Sequence, residues 1–128
     1  MLNYKKIISR LLDQNIYILS NDDKEAIIID PGLGFDLIDG YLKSENLSPI
    51  AVLATHAHID HIASANDCIK NYNIPFYICR GNSIMLDHYD IMKGYMHVDS
   101  EKPEVTHWIE ESDKKLTVGS FKFSVNYN

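Results

Sequence analysis

The hydrophobic pattern of the chain changes period several times, and each change marks an element. Residues 14–20 (Gln-Asn-Ile-Tyr-Ile-Leu-Ser) and 25–30 (Glu-Ala-Ile-Ile-Ile-Asp) are β-rich and flank the polar stretch Asn21-Asp22-Asp23-Lys24. They predict a hairpin. Ile27, Ile28 and Ile29 are apolar without alternation, the pattern of a strand covered on both faces. Asp30-Pro31-Gly32 ends that strand, because proline cannot extend a ladder. Helical spacing follows over 35–46, with Leu37, Ile38, Tyr41 and Leu42 on one side and Pro49 beyond the exit.

Residues 50–54 (Ile-Ala-Val-Leu-Ala) read as a short buried strand running into Thr55. Ile62, Ala65, Ile69 and Tyr72 return to helical spacing over 62–72, and Pro75 stands near the start of a strand over 74–79. A helix is predicted over 82–96, opened by Asn82 or Ser83 as N-cap, and an irregular stretch over 97–113. The segment 115–125 reads as a closing hairpin, with Phe121, Phe123 and Val125 alternating against Lys122 and Ser124. Its Gly119-Ser120 pair suits a two-residue type II′ turn. Strands and helices in this order predict an α/β (α+β) fold. No repeat or linker divides residues 1–128, so one domain, or one piece of a domain, is expected.

Composition narrows the function classes. With 45% hydrophobic and 23% charged residues, the 128-residue chain is globular rather than disordered. Its net charge of −6 and scattered basic residues argue against nucleic acid as a partner. No apolar run approaches the roughly 20 residues of a membrane span. The start lacks the apolar core of a signal peptide and is expected to form a first strand instead. Cys68 and Cys79 read as reduced thiols rather than a disulfide framework, which points to a cytoplasmic protein. Oligomeric state is not encoded in any of these features.

The candidate chemistry lies just past the 50–54 strand, in His56-Ala57-His58-Ile59-Asp60-His61. An isolated His is ordinarily a solvated or packed side chain, but three His and one Asp within six positions have no packing rationale. In an extended chain His56 and His58 project to one side, where two imidazoles can hold one Zn²⁺. Asp60 and His61 fall on the turn into the next helix and can address a second ion. Two ions roughly 3.5–4 Å apart acidify a shared water.

This string, preceded by an apolar strand and Thr55, resembles the H-x-H-x-D-H signature of the metallo-β-lactamase superfamily. Asp13-Gln14-Asn15-Ile16-Tyr17 looks like the first-strand region of its glyoxalase II (hydroxyacylglutathione hydrolase) branch, and Ile29-Asp30-Pro31-Gly32 like its I-D-P-G turn. The resemblance spans roughly residues 4–125 and implies the N-terminal half of an αββα sandwich. It implies that His56 and His58 bind a first metal, and that Asp60 and His61 bind a second. Asp60 would also act catalytically, orienting the nucleophilic water and accepting its proton, with Asp30 supporting the ligands. The cofactor implied is a pair of Zn ions, with Fe or Mn as substitutes. The implied reaction is hydrolysis of a small-molecule ester or thioester, such as a hydroxyacylglutathione, by metal-bound hydroxide. Two alternatives stand beside it: a persulfide dioxygenase-like enzyme using one iron, and a truncated, non-catalytic remnant with partial metal binding.

Two departures qualify the resemblance. The family places Gly-Gly shortly after the last His of the motif, where this chain has Ile62-Ala63-Ser64. The family also has a third His in a G-H-T string after the closing hairpin, then a bridging Asp and a last His. The chain reaches Asn128 three residues after Val125, so four of the seven ligands are expected in it. His88, His97 and His107 precede the hairpin and match no family ligand, so they read as structural or exposed.

Overall fold

A computed structural model of the chain describes residues 2–110 and 112–124. Val125, expected to end the last strand, lies outside the described residues. Six strands form the main sheet: β1 (Asn3–Ile8), β2 (Asn15–Ser20), β3 (Glu25–Ile29), β4 (Ser48–Ala54), β5 (Phe76–Cys79) and β6 (His107–Ile109). Their spatial order is their order in the chain. β1, β2 and β3 pair antiparallel, whereas β4, β5 and β6 each add in parallel to the strand before. Parallel addition requires a crossover. α1 (Phe35–Ser44) makes the first; α2 (Ile59–Ile62) and α3 (Ala65–Tyr72) make the second. After β5 a 3₁₀ turn over Arg80–Asn82 leads into α4 (Ser83–Asp87) and α5 (Tyr89–Met96).

The sheet has two buried faces. On one, Ile16, Ile18, Ile28, Val52, Phe76 and Ile78 pack against Ile38 and Leu42 of α1, Cys68 of α3 and Tyr89 of α5. On the other, Ile27 and Ala51 meet Val118 and Phe121. The last two belong to a separate two-stranded sheet, β7 (Lys115–Val118) and β8 (Phe121–Ser124). Continuous isoleucine in β3 therefore has a physical cause: Ile28 feeds the helical layer while Ile27 feeds the hairpin layer. The result is a mixed α/β architecture of helices, six-stranded sheet and hairpin. Gly119 adopts φ +58° and Ser120 no positive φ, as a type II′ turn demands.

The structure corrects four boundaries. The expected helix over 62–72 begins earlier, at Ile59, and breaks between Ile62 and Ala65. There the Ser64 N–H turns away to the carbonyls of Pro31 and Gly32. The helix over 82–96 divides at His88. Pro49 lies within β4, where the register with β3 shifts between Ala26 and Ile27. The stretch 97–113 is not wholly irregular, because β6 pairs with Tyr77–Cys79 of β5. Three residues are too few for alternation to show.

The start of the chain forms the expected first strand, a largely exposed sheet edge carrying Lys5 and Lys6, charges that discourage further strand pairing. Cys68 and Cys79 are free thiols. No helix among the described residues is long and apolar enough to cross a membrane.

Two predictions follow from the packing. Phe121, 2% exposed, anchors the hairpin on the sheet, so Phe121→Ala should cost about 3–5 kcal/mol of stability in urea unfolding. Burial pushes the Cys68 thiol well above its ordinary value, with Asp67 and Asp39 adding to the shift. A thiol reagent at pH 8 should therefore modify the half-buried Cys79 first and reach Cys68 only on unfolding.

Candidate metal centre

The His-rich segment begins where β4 ends, at the C-terminal end of the parallel strands. Such ends are where open α/β sheets present ligands. Past Ala54 the alternation slips by one residue, since Thr55 and His56 are both exposed, and then resumes: Ala57 and Ile59 are buried in the helical core, while His56 and His58 are exposed. The imidazoles thus point outward because the small and apolar residues between them point in. Asp60 and His61, half-buried, lie on the single turn of α2.

The three rings stand close together. Ring centroids stand 5.1 Å apart for His56 and His61, 6.0 Å for His56 and His58, and 6.5 Å for His58 and His61. Two imidazoles on one tetrahedral ion, with metal–nitrogen bonds of about 2.0–2.1 Å, have centroids roughly 5 Å apart. Asp60 Oδ2 lies 3.6 Å from His61 Nε2. His61 Nδ1 is buried without a hydrogen-bond partner, though Asp30 Oδ2 is 3.3 Å away in poor alignment. Among the described residues, no three His, Cys, Asp or Glu side chains close a metal site by themselves. The residues suit a metal as an open, partial donor set: three imidazoles stand within 6.5 Å of one another, with the exposed pair His56 and His58 about an ångström wider apart than two ligands of one ion.

Asp30 sets the hydrogen-bond roles at the first histidine of this cluster. It follows β3 with φ +52° and is 6% exposed, a left-handed conformation that Asp tolerates better than most residues. Its carboxylate accepts the Thr55 N–H at Oδ1 and the Thr55 hydroxyl at Oδ2, both at 2.7 Å. Thr55 has one hydroxyl hydrogen, and it goes to Asp30. Thr55 Oγ1, 3.0 Å from His56 Nδ1, is therefore the acceptor of that pair. His56 carries its proton on Nδ1, leaving the Nε2 lone pair free for a metal.

Glycine at position 32 is a second requirement. A Cβ there would lie 2.8 Å from the Asp60 carbonyl oxygen and closer still to Ser9 Oγ and Gln14 Oε1. The β3–α1 loop could not then approach α2. Beside Thr55, an apolar cleft of about 260 Å³ opens between sheet and hairpin, lined in part by Ile29, Leu53, Cys79, Leu116 and Phe123.

The other histidines lie apart from this cluster's chemistry. His88 Nδ1 approaches the Ile84 carbonyl at 2.7 Å. His97 ends α5 in a left-handed conformation, and His107 stacks on Tyr77 at 4.5 Å. Sequence reasoning missed three supports. Asn82 accepts the Ala57 N–H at 3.2 Å. Tyr89 OH meets Ser100 Oγ at 2.6 Å, and Ser100 donates to the Ala63 carbonyl. The only signal for Asn82 was a polar residue soon after an apolar strand, which reads equally as a helix cap.

The profile of the metallo-beta-lactamase superfamily matches residues 9–124. Probable metallo-hydrolase YqgX of Bacillus subtilis is 31% identical over 112 residues, 86% of this chain and 52% of that protein. A hydroxyacylglutathione hydrolase of Buchnera aphidicola is 43% identical over 65 residues, 51% of this chain and 26% of that enzyme. Among solved structures, the BLEG-1 B3 metallo-beta-lactamase superposes with TM-score 0.82 at 35% identity, covering 95% of this chain and 59% of that one. TTHA1623 in a di-iron-bound form superposes with TM-score 0.76 at 20% identity, over 90% of this chain and 57% of that one. The chain thus spans about half the length of YqgX and of these two structures, and a quarter of the Buchnera enzyme.

The Asp30–Thr55–His56 relay yields a tautomer prediction. In Asp30→Asn the amide NH₂ would face Thr55 Oγ1, turning the hydroxyl into a donor toward His56 Nδ1. The His56 proton should move to Nε2 in ¹⁵N spectra of the metal-free protein, and Zn²⁺ affinity should fall about 10–100-fold. An unchanged tautomer would refute the relay.

Proposed function

The chain belongs to the metallo-beta-lactamase superfamily, and on that premise we propose that it is a metal-dependent hydrolase of a small-molecule thioester or related ester, with a hydroxyacylglutathione as the type of substrate. The observation carrying this reading is the cluster of two exposed imidazoles and the half-buried His61, whose first member has its Nε2 lone pair freed through Thr55 and Asp30. The local identity with a hydroxyacylglutathione hydrolase covers about half of the chain and supports the thioester class.

In this reading His56 and His58 hold one metal ion, and Asp60 and His61 hold a second. Zinc is the proposed metal, with iron as the substitute that the di-iron form of TTHA1623 brings into consideration. Bound metal supplies Lewis-acid polarisation of the scissile carbonyl and a lowered pKa for water. The chain's own residues do the rest. Asp60, half-buried on α2, offers a carboxylate that can orient a water and take its proton. Asp30 fixes Thr55 and through it the His56 ring. Ala57 and Ile59, buried on either side of His58, keep that side chain turned outward. The net charge of −6 disfavours a polyanionic substrate such as nucleic acid, and the two free thiols support a reducing, cytoplasmic setting.

The deciding experiment is hydrolysis of S-lactoylglutathione and of a chromogenic cephalosporin by the 128-residue chain supplied with Zn²⁺. Thioester turnover is expected, abolished by EDTA and lowered at least about 100-fold in His58→Ala. Turnover of the cephalosporin alone would move the substrate class to β-lactams, in keeping with the resemblance to BLEG-1. Absence of turnover on either substrate would overturn the reading for this chain.

A further inference from the structure

We infer that Asn82 is a positioning residue for the metal ligands, acting through the peptide between His56 and Ala57; this rests on the metal reading above. The segment from Thr55 to Ser64 leaves the sheet and must be held from outside. At its start the Thr55 N–H is taken by Asp30. Near its end the Ala63 carbonyl is taken by Ser100, and the Ser64 N–H by Pro31 and Gly32. Between them lies the Ala57 N–H, in a residue with no exposed surface, so it needs a protein partner. The Oδ1 of Asn82 is that partner, at 3.2 Å.

Asn82 is itself held at its other end. Its Nδ2 donates to the Cys79 carbonyl at 3.3 Å, the last residue of β5. One amide therefore spans the ends of two neighbouring parallel strands, β4 and β5, at the point where both chains leave the sheet. No helix-capping bond competes for it: Asn82 precedes α4, but its side chain makes no cap hydrogen bond. Joined in this way, the two amides fix the direction of the Ala57 N–H and so restrict the plane of the His56–Ala57 peptide. That plane sets the direction in which the His56 side chain leaves on one side and the course of the chain to His58 on the other. Asp30 determines which nitrogen of His56 bears the proton; Asn82 determines where His56 and His58 stand relative to each other.

The test compares Asn82→Ala, which removes the acceptor, with Asn82→Asp, which keeps an oxygen at the same reach. Amide hydrogen exchange of Ala57 is read in the metal-free chain, and Zn²⁺ affinity by competition with a chromophoric chelator. In Asn82→Ala the Ala57 amide should lose its protection, and Zn²⁺ affinity should fall about 10–100-fold, the usual cost of losing a group that orients ligands. Asn82→Asp keeps the acceptor but loses the bond to the Cys79 carbonyl, so Ala57 should keep part of its protection and affinity should fall clearly less than in Asn82→Ala. Affinity unchanged in Asn82→Ala, or lost equally in both variants, would overturn the positioning role while leaving the metal reading intact. A parent chain that takes up no Zn²⁺ would overturn the metal reading and this role together.

Discussion

A single carboxylate joins the two strands on which the rest of the molecule depends. Asp30 stands in a left-handed turn just past β3, and both of its oxygens accept hydrogen bonds from Thr55, just past β4. β3 and β4 are parallel neighbours, and parallel strands have no turn of their own to set where they end. The Asp30–Thr55 pair supplies that reference point. Everything that follows Thr55, including three histidines and the first turn of α2, takes its starting position from it. The arrangement also explains the polar burial: Asp30 is 6% exposed, tolerable because its oxygens find donors.

The same strands carry the core. Three adjacent isoleucines in β3 divide between helical layer and hairpin layer, so the sheet is clamped from both sides where the candidate ligands emerge. Rigid support of this kind is what a metal centre requires, since ligand placement tolerates little error. Gly32 adds a steric condition, allowing the Asp60 carbonyl to approach the β3–α1 loop more closely than any side chain would permit.

Much of this was legible in the sequence, for reasons that can be traced. The 14–30 hairpin was readable because β-branched residues flank an Asx-rich turn, and the candidate ligand segment stood out because its density of histidine has no packing rationale. The closing hairpin was readable from Phe121 alternating with Lys122 and from the glycine its turn demands. What escaped depended on tertiary contacts. β6 has only His107, Trp108 and Ile109, and its strand state comes from the free edge of β5. The break after Ile62 comes from Ser64 bonding to a loop thirty residues earlier. Asn82 was visible only as a cap, because its partner Ala57 lies 25 positions away and no local pattern encodes that distance.

The agreement between strand order in the sheet and strand order in the chain has a consequence for biosynthesis. A polypeptide made from its N-terminus can lay each new strand of the main sheet on an edge that already exists, with no threading between strands placed earlier. Each crossover closes only onto the preceding strand, and nearest-neighbour assembly limits the entropic barrier to each addition. The segment from Thr55 to His61 gains its anchoring carboxylate as soon as β4 joins β3, while the later half of the chain is still being synthesised. The supports contributed by Asn82 and Ser100 arrive afterwards, tightening on the nascent chain a loop whose first contact has already formed.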